Sequence, residues 1–153
     1  MRASSFLLFA SSFCLLTSCL LTSAQAENLQ HHNTDLARSL GSPYSEAVQV
    51  GSTLYLSGQI GNVPGALTLV EGGIGPQTEQ VLKNIKAILE RNGSDMPHVA
   101  KCTVYLADIK DWPAVNNIYR GYFQAPYPAR SAFATGGLPL GAAIEIECIG
   151  VLR

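Results

Sequence analysis

Three charged side chains stand out by type and setting. Arg130 follows a Pro128-Ala129 pair, and Glu145 and Glu147 interrupt the otherwise apolar run Ala143 to Val151. Spaced by two in an extended segment, the carboxylates share one face. An ionised carboxylate on a sheet face that packs against anything is costly unless it is paired. The two glutamates therefore require either an arginine partner or a chemical task, and salt-bridging at an interface answers as well as catalysis does. Metal chemistry has less to stand on. There is no C-x-x-C, His31 and His32 adjoin an N-terminal tail, and His98 stands alone, so no metal site is expected.

The elements that must position these residues are legible in the periodicities. Residues 47–50 and 53–59 are β-prone runs joined at Gly51-Ser52, a two-residue connection typical of a hairpin. Gly61 to Gly75 reads as a turn with room for a short edge strand. From Pro76 to Asn92, Val81, Leu82, Ile85, Ile88 and Leu89 recur at helical spacing, with Pro76 in the first turn and Gly93 as the C-terminal cap. Val99 to Ala107 alternates as a strand with one buried face. Asp111 is expected to cap a second helix carrying Trp112, Val115, Ile118, Tyr119 and Tyr122 as an apolar stripe, and core packing accounts for those aromatics. Ser131 to Thr135 and Ala143 to Val151 complete the strands. The order predicts an α/β (α+β) domain, a mixed β-sheet with two helices on one face. Ile149 and Val151 share the Glu145 face, so an apolar uncovered side is expected to be buried in an oligomer.

The first 26 residues stand apart. Arg2, the apolar stretch Phe6 to Leu21 and Ala24-Gln25-Ala26 form a secretory signal with a small-residue cleavage pattern. A membrane span would need about 20 apolar residues, and Ser4, Ser5, Ser11, Ser12, Thr17 and Ser18 dilute this N-terminal segment. Leu16-Thr17-Ser18-Cys19 also fits lipoprotein processing, leaving a lipid anchor at Cys19 as the alternative to a soluble, exported, periplasmic product. Residues 27–41 read as a flexible leader and 42–153 as the single domain.

Cleavage removes Arg2 alone among the charges, leaving 9 basic against 11 acidic residues, a formal charge of -2. With the bases scattered singly, no nucleic-acid partner is expected. Cys102 and Cys148 both fall in strands. In an oxidising compartment they could pair, but buried free thiols are the favoured reading.

Several segments occur together in an order that resembles the Rid (YjgF-type) family of imine deaminases. They are Ser42-Pro43-Tyr44-Ser45-Glu46-Ala47, Leu56-Ser57-Gly58-Gln59-Ile60, Gln77-Thr78 through Leu89, Ala114-Val115-Asn116, Pro128-Ala129-Arg130-Ser131 and Ile144-Glu145-Ile146-Glu147. The resemblance covers about residues 42 to 152. The resemblance implies a chorismate-mutase-like subunit in a homotrimer, with the sheets forming an inner barrel and clefts between subunits. It also implies hydrolysis of 2-imino acids such as 2-iminobutanoate and 2-iminopropanoate to 2-keto acids and ammonia, with no cofactor.

On this resemblance Arg130 is the anchor for the substrate carboxylate, a task that suits a planar guanidinium able to donate two parallel hydrogen bonds. Glu145 positions or activates the attacking water, and Glu147 is structural. Tyr44 closes the mouth of the site, Ser57 and Gly58 approach the ligand, and Asn116 hydrogen-bonds substrate or water. Three positions depart from the pattern: Ser42 replaces a glycine, Glu46 a glutamine, and Ala132 a cysteine common two residues after the arginine. The carboxylate clamp is intact while the substrate range is open. The competing reading is a non-catalytic trimer that binds small carboxylates or partner proteins. A ribonuclease sits badly with the acidic balance.

Overall fold

A computed structural model of the chain describes residues 28–153. The expected signal and Cys19 lie outside the described residues. The elements run β1 (Leu29–His32), α1 (Asp35–Ser39), β2 (Ala47–Val50), β3 (Thr53–Leu56), β4 (Gln59–Ile60), α2 (Ile74–Arg91), β5 (Val99–Leu106), α3 (Trp112–Tyr122), β6 (Ala129–Ala134) and β7 (Ile144–Val151). The sheet order is β1-β2-β3-β7-β5-β6, with β4 also paired to β7. All pairings are antiparallel except β5 with β6. That parallel pair needs a crossover, and α3 supplies it.

The mixed sheet with two main helices on one face is as the sequence predicts. Alternation along β5 and β7 sends Cys102, Val104, Leu106, Ile144, Ile146 and Cys148 to the helix side, where they are buried with Leu54, Leu56 and the α2 residues Val81, Leu82, Ile85 and Leu89. Fully burying one such aliphatic side chain is worth roughly 1.5–3 kcal/mol. On the other face lie Tyr55, Tyr105, Phe133, Glu145, Glu147 and Val151. Three of these large side chains remain exposed there: Tyr55, Phe133 and Val151.

Four local readings change. Residues 29–39, expected as part of a flexible leader, form an ordered strand and a short helix. Strand β1 pairs along β2 from Leu29 against Val50 to His32 against Ala47. The junction is held by polar side chains: the Thr34 amide donates to Glu46 Oε2 (2.6 Å) and the Glu46 amide to Asn33 Oδ1 (2.8 Å). These bonds join residues a dozen or more positions apart, so no local pattern announces them. Asp111 makes no capping hydrogen bond to α3; Asp108 instead caps the short 3-10 turn that leads into it, accepting from the Lys110 amide at 2.9 Å.

Cys102 and Cys148, favoured as free thiols, form a disulfide between β5 and β7. They are register partners with Cα atoms 4.1 Å apart. Their separation of 46 residues hides this in the sequence.

The strand expected over 53–59 is interrupted. β3 and β4 both pair with β7, at Thr53 to Tyr55 and at Gln59 to Ile60, and Ser57-Gly58 is the break between them. Just beyond it, Gly61 packs so closely under α2 that a Cβ there would fall 2.7 Å from the Gln77 Cα. Glycine is required for that approach. Gln77 in turn accepts from the Ala143 amide (2.8 Å), tying α2 to the start of β7.

Candidate functional site

The residues singled out by sequence fall into two groups. The first surrounds Arg130 on edge strand β6. Arg130 is in register with Cys102, so its side chain projects to the helix side of the sheet. There Arg130 Nη2 donates to Asn116 Oδ1 at 2.8 Å. The guanidinium carbon lies 4.4 Å from the centroid of the Trp112 ring and 4.5 Å from that of Tyr119, within cation–π range. Burial pushes the Tyr119 phenol up to about 12, with the Arg130 charge opposing. Among the described residues, its hydroxyl is buried without a hydrogen-bond partner.

The second group lies around the break between β3 and β4. The Ser57 hydroxyl donates to the Ser45 carbonyl (2.6 Å), while its amide donates to the Glu46 carbonyl (3.0 Å). Ser57 therefore pins the approach to Tyr44 against the strand break. Gly58 abuts the carboxylate of Glu145: a Cβ at Gly58 would overlap Glu145 Oε1 and stand 2.9 Å from its Cδ. Tyr44, 60% exposed, and Gly58 line one cavity of about 320 Å3 together with Leu36, Leu40, Ile60 and Leu67.

Burial holds the Glu145 carboxyl above the usual carboxylate range, and the charge of Glu147 adds to the rise. Glu147 accepts from the Tyr105 hydroxyl at 3.1 Å. Among the described residues, neither glutamate forms a salt bridge. Among the described residues, no arginine pairs with either glutamate in the way that would have made them structural. A carboxyl of raised affinity for protons, half-buried and held against a glycine, has the properties of a general base.

The structure does not bring the two groups together within one chain. Arg130 projects from the helix side of β6, whereas Glu145 projects from the open side of β7, two strands away. At about 4.8 Å per strand spacing, and with the sheet between them, one small ligand cannot touch both in the same subunit.

Sequence reasoning missed the ring environment of Arg130. Trp112, Asn116 and Tyr119 are spaced by four and three, one stripe of α3. The spacing was visible, but aromatics at helical spacing are equally well explained by core packing.

A small α/β domain with a one-sided helical layer, an arginine held between two rings on the helix side and a carboxylate on the open sheet face defines the class of protein. A family model described as endoribonuclease L-PSP matches residues 37–152, and the chain belongs to that family, also called YjgF or Rid. A 2-iminobutanoate/2-iminopropanoate deaminase of Capra hircus is 49% identical over 109 residues, 71% of this chain and 80% of that protein. The Arabidopsis thaliana protein Reactive Intermediate Deaminase A, chloroplastic, is 43% identical over 133 residues, 87% of this chain and 71% of the relative. Among solved structures, yeast Mmf1 superposes with a TM-score of 0.76 at 35% identity, covering 82% of this chain and all of that one.

Proposed function

We propose that this chain is an exported, homotrimeric hydrolase that converts 2-imino acids of the 2-iminobutanoate and 2-iminopropanoate type to 2-keto acids and ammonia. The observation that carries the assembly is the placement of Arg130 and Glu145 on opposite faces of one sheet. If both act on one small substrate, they come from different subunits, with Arg130 and Asn116 supplied by one and Glu145, Gly58 and Tyr44 by its neighbour. The open face, with Tyr55, Phe133 and Val151 exposed, supports burial of that face between copies.

In this reading Arg130 takes the substrate carboxylate by charge-assisted hydrogen bonds. Glu145 accepts a proton from water as its oxygen bonds to the carbon of the protonated imine, and the C=N π electrons move to nitrogen, giving a carbinolamine. Glu145 returns that proton to the amine; it then takes the proton of the carbinolamine hydroxyl as the C=O bond forms, the C–N bond breaks and ammonia leaves. Nothing in this sequence calls for a cofactor. The names of the relatives at 43–49% identity support this chemistry. The acidic balance, 9 bases against 11 acids after loss of Arg2, argues against an RNA substrate despite the family's description.

Export is supported by the N-terminal pattern of Arg2, Phe6 to Leu21 and Ala24-Gln25-Ala26 and by the Cys102–Cys148 disulfide, a bond that persists in oxidising compartments. A periplasmic soluble product follows from cleavage after Ala26, and a membrane-anchored one from lipidation at Cys19.

The experiment is 2-keto acid release from freshly generated 2-iminobutanoate and 2-iminopropanoate, using protein from Glu27 onward with Arg130→Ala as control. Acceleration that is lost in the control is the expected result. Absence of acceleration by folded protein would replace the enzyme with a small-carboxylate binder.

A further inference from the structure

The stripe Trp112, Asn116 and Tyr119 does more than fill space between α3 and the sheet. All three side chains converge on one guanidinium, two through ring faces and one through a 2.8 Å hydrogen bond. The rings stand seven residues apart on the helix, about 10 Å along its axis, yet both centroids lie within 4.5 Å of the same carbon. They therefore reach the guanidinium from different directions. Asn116 engages Nη2, which leaves the remaining donors for a ligand.

We propose that Trp112 and Tyr119 are positioning residues for Arg130, holding its guanidinium plane at a fixed setting so that the free edge meets the carboxylate of a small 2-oxo or 2-imino acid. A long flexible side chain loses most of its rotational freedom before the ligand arrives, and the rings exclude water from around the charge; both strengthen the ion pair when it forms. The proposal rests on the reading of Arg130 as the carboxylate anchor. It goes beyond that reading by assigning roles to two residues that would otherwise count as core aromatics.

Because the anchor binds the carboxylate equally in substrate and transition state, loosening it raises KM and leaves kcat nearly unchanged. Removing one cation–π contact from a partly desolvated guanidinium corresponds to roughly a 2- to 30-fold weakening of carboxylate binding. Trp112 is also the single tryptophan of the chain, so its emission is a direct reporter of events at Arg130.

The test titrates the full exported protein with 2-oxobutanoate, following Trp112 emission and, on the same sample, heat by calorimetry. The expected result is a saturable emission change whose midpoint matches the calorimetric one and that disappears in Arg130→Ala. Trp112→Ala is expected to raise the calorimetric Kd and the KM for 2-iminobutanoate within the range above, while Trp112→Phe, which keeps a ring, recovers most of the loss. Calorimetric binding with unchanged Trp112 emission, or a Trp112→Ala variant with wild-type Kd and KM, would overturn the positioning role while leaving the anchor in place. Absence of any calorimetric binding, with Arg130→Ala still hydrolysing the imine at the wild-type KM, would remove the anchor itself. A fall in kcat at constant KM in Trp112→Ala would mark a purely structural residue.

Discussion

Gly58→Ala isolates the proposed catalytic carboxylate without touching it chemically. The added methyl would overlap Glu145 Oε1 and crowd its Cδ at 2.9 Å and Cγ at 3.2 Å. Gly58 does not have a positive φ, so alanine brings no backbone strain there. The atoms in the way belong to the far end of a flexible side chain on the open face of the sheet. Overpacking costs typically about 1–3 kcal/mol in a core, and here the lower end, about 1 kcal/mol, is expected because the carboxylate can swing aside. Activity has no such escape. Displacing a general base removes a factor of roughly 10²–10⁴ in kcat, equivalent to about 3–5 kcal/mol of barrier. The assay pairs thermal unfolding with imine hydrolysis, and a double-mutant cycle with Glu145→Gln identifies the route. If the methyl acts through Glu145, the double variant is no slower than Glu145→Gln alone. Additive losses in the cycle, or a Gly58→Ala enzyme with wild-type kcat, would refute the argument that Gly58 exists to seat this carboxylate.

Further outcomes follow from the same geometry. Because the Glu145 carboxyl is held above the usual range by burial and then by Glu147, and only its ionised form can accept a proton, kcat is expected to rise with pH to a plateau; Glu147→Gln should move the midpoint to lower pH. The same raised affinity makes Glu145 favour the folded state below its unfolded-chain pKa, a contribution lost as pH rises through the folded value, so Glu145→Gln should gain stability over wild type on the alkaline side in denaturant titrations. Cys102 and Cys148 are 1% and 2% exposed and close a 46-residue separation; loop-closure entropy puts the bond at about 4 kcal/mol. Mild reductant should leave the native protein untouched, while reduction after unfolding should lower the refolded protein's denaturation midpoint, and two titratable thiols in unreduced, unfolded protein would contradict the bond. Finally, Tyr119→Phe removes a buried hydroxyl that has no partner among the described residues, so stability measured by denaturant should hold or rise by up to about 1–3 kcal/mol; a loss would mean that the hydroxyl finds a partner in solution.

Much of this molecule is written in short-range pattern. Val81, Leu82, Ile85, Ile88 and Leu89 specify the buried face of α2 because a helix turns every 3.6 residues, and all five are buried. Cys102, Val104 and Leu106 specify the core face of β5 because strands alternate. The candidate site residues were legible as types within ordered motifs, and Arg130 with Asn116, and Gly58 with Glu145, are in fact neighbours.

What tertiary structure alone decided are the pairings between distant segments. Leu29–His32 becomes a strand only because β2 offers an edge and Asn33, Thr34 and Glu46 lock the junction. Cys102 meets Cys148 only through the β5–β7 register, and Trp112 and Tyr119 acquire Arg130 only because β6 returns beneath α3. The separation of Arg130 from Glu145 onto opposite sheet faces is of the same kind. Periodicity states which residues share a face of their own element, but which face of the assembled sheet each one occupies depends on strand order and register, which are properties of contacts far apart in the chain.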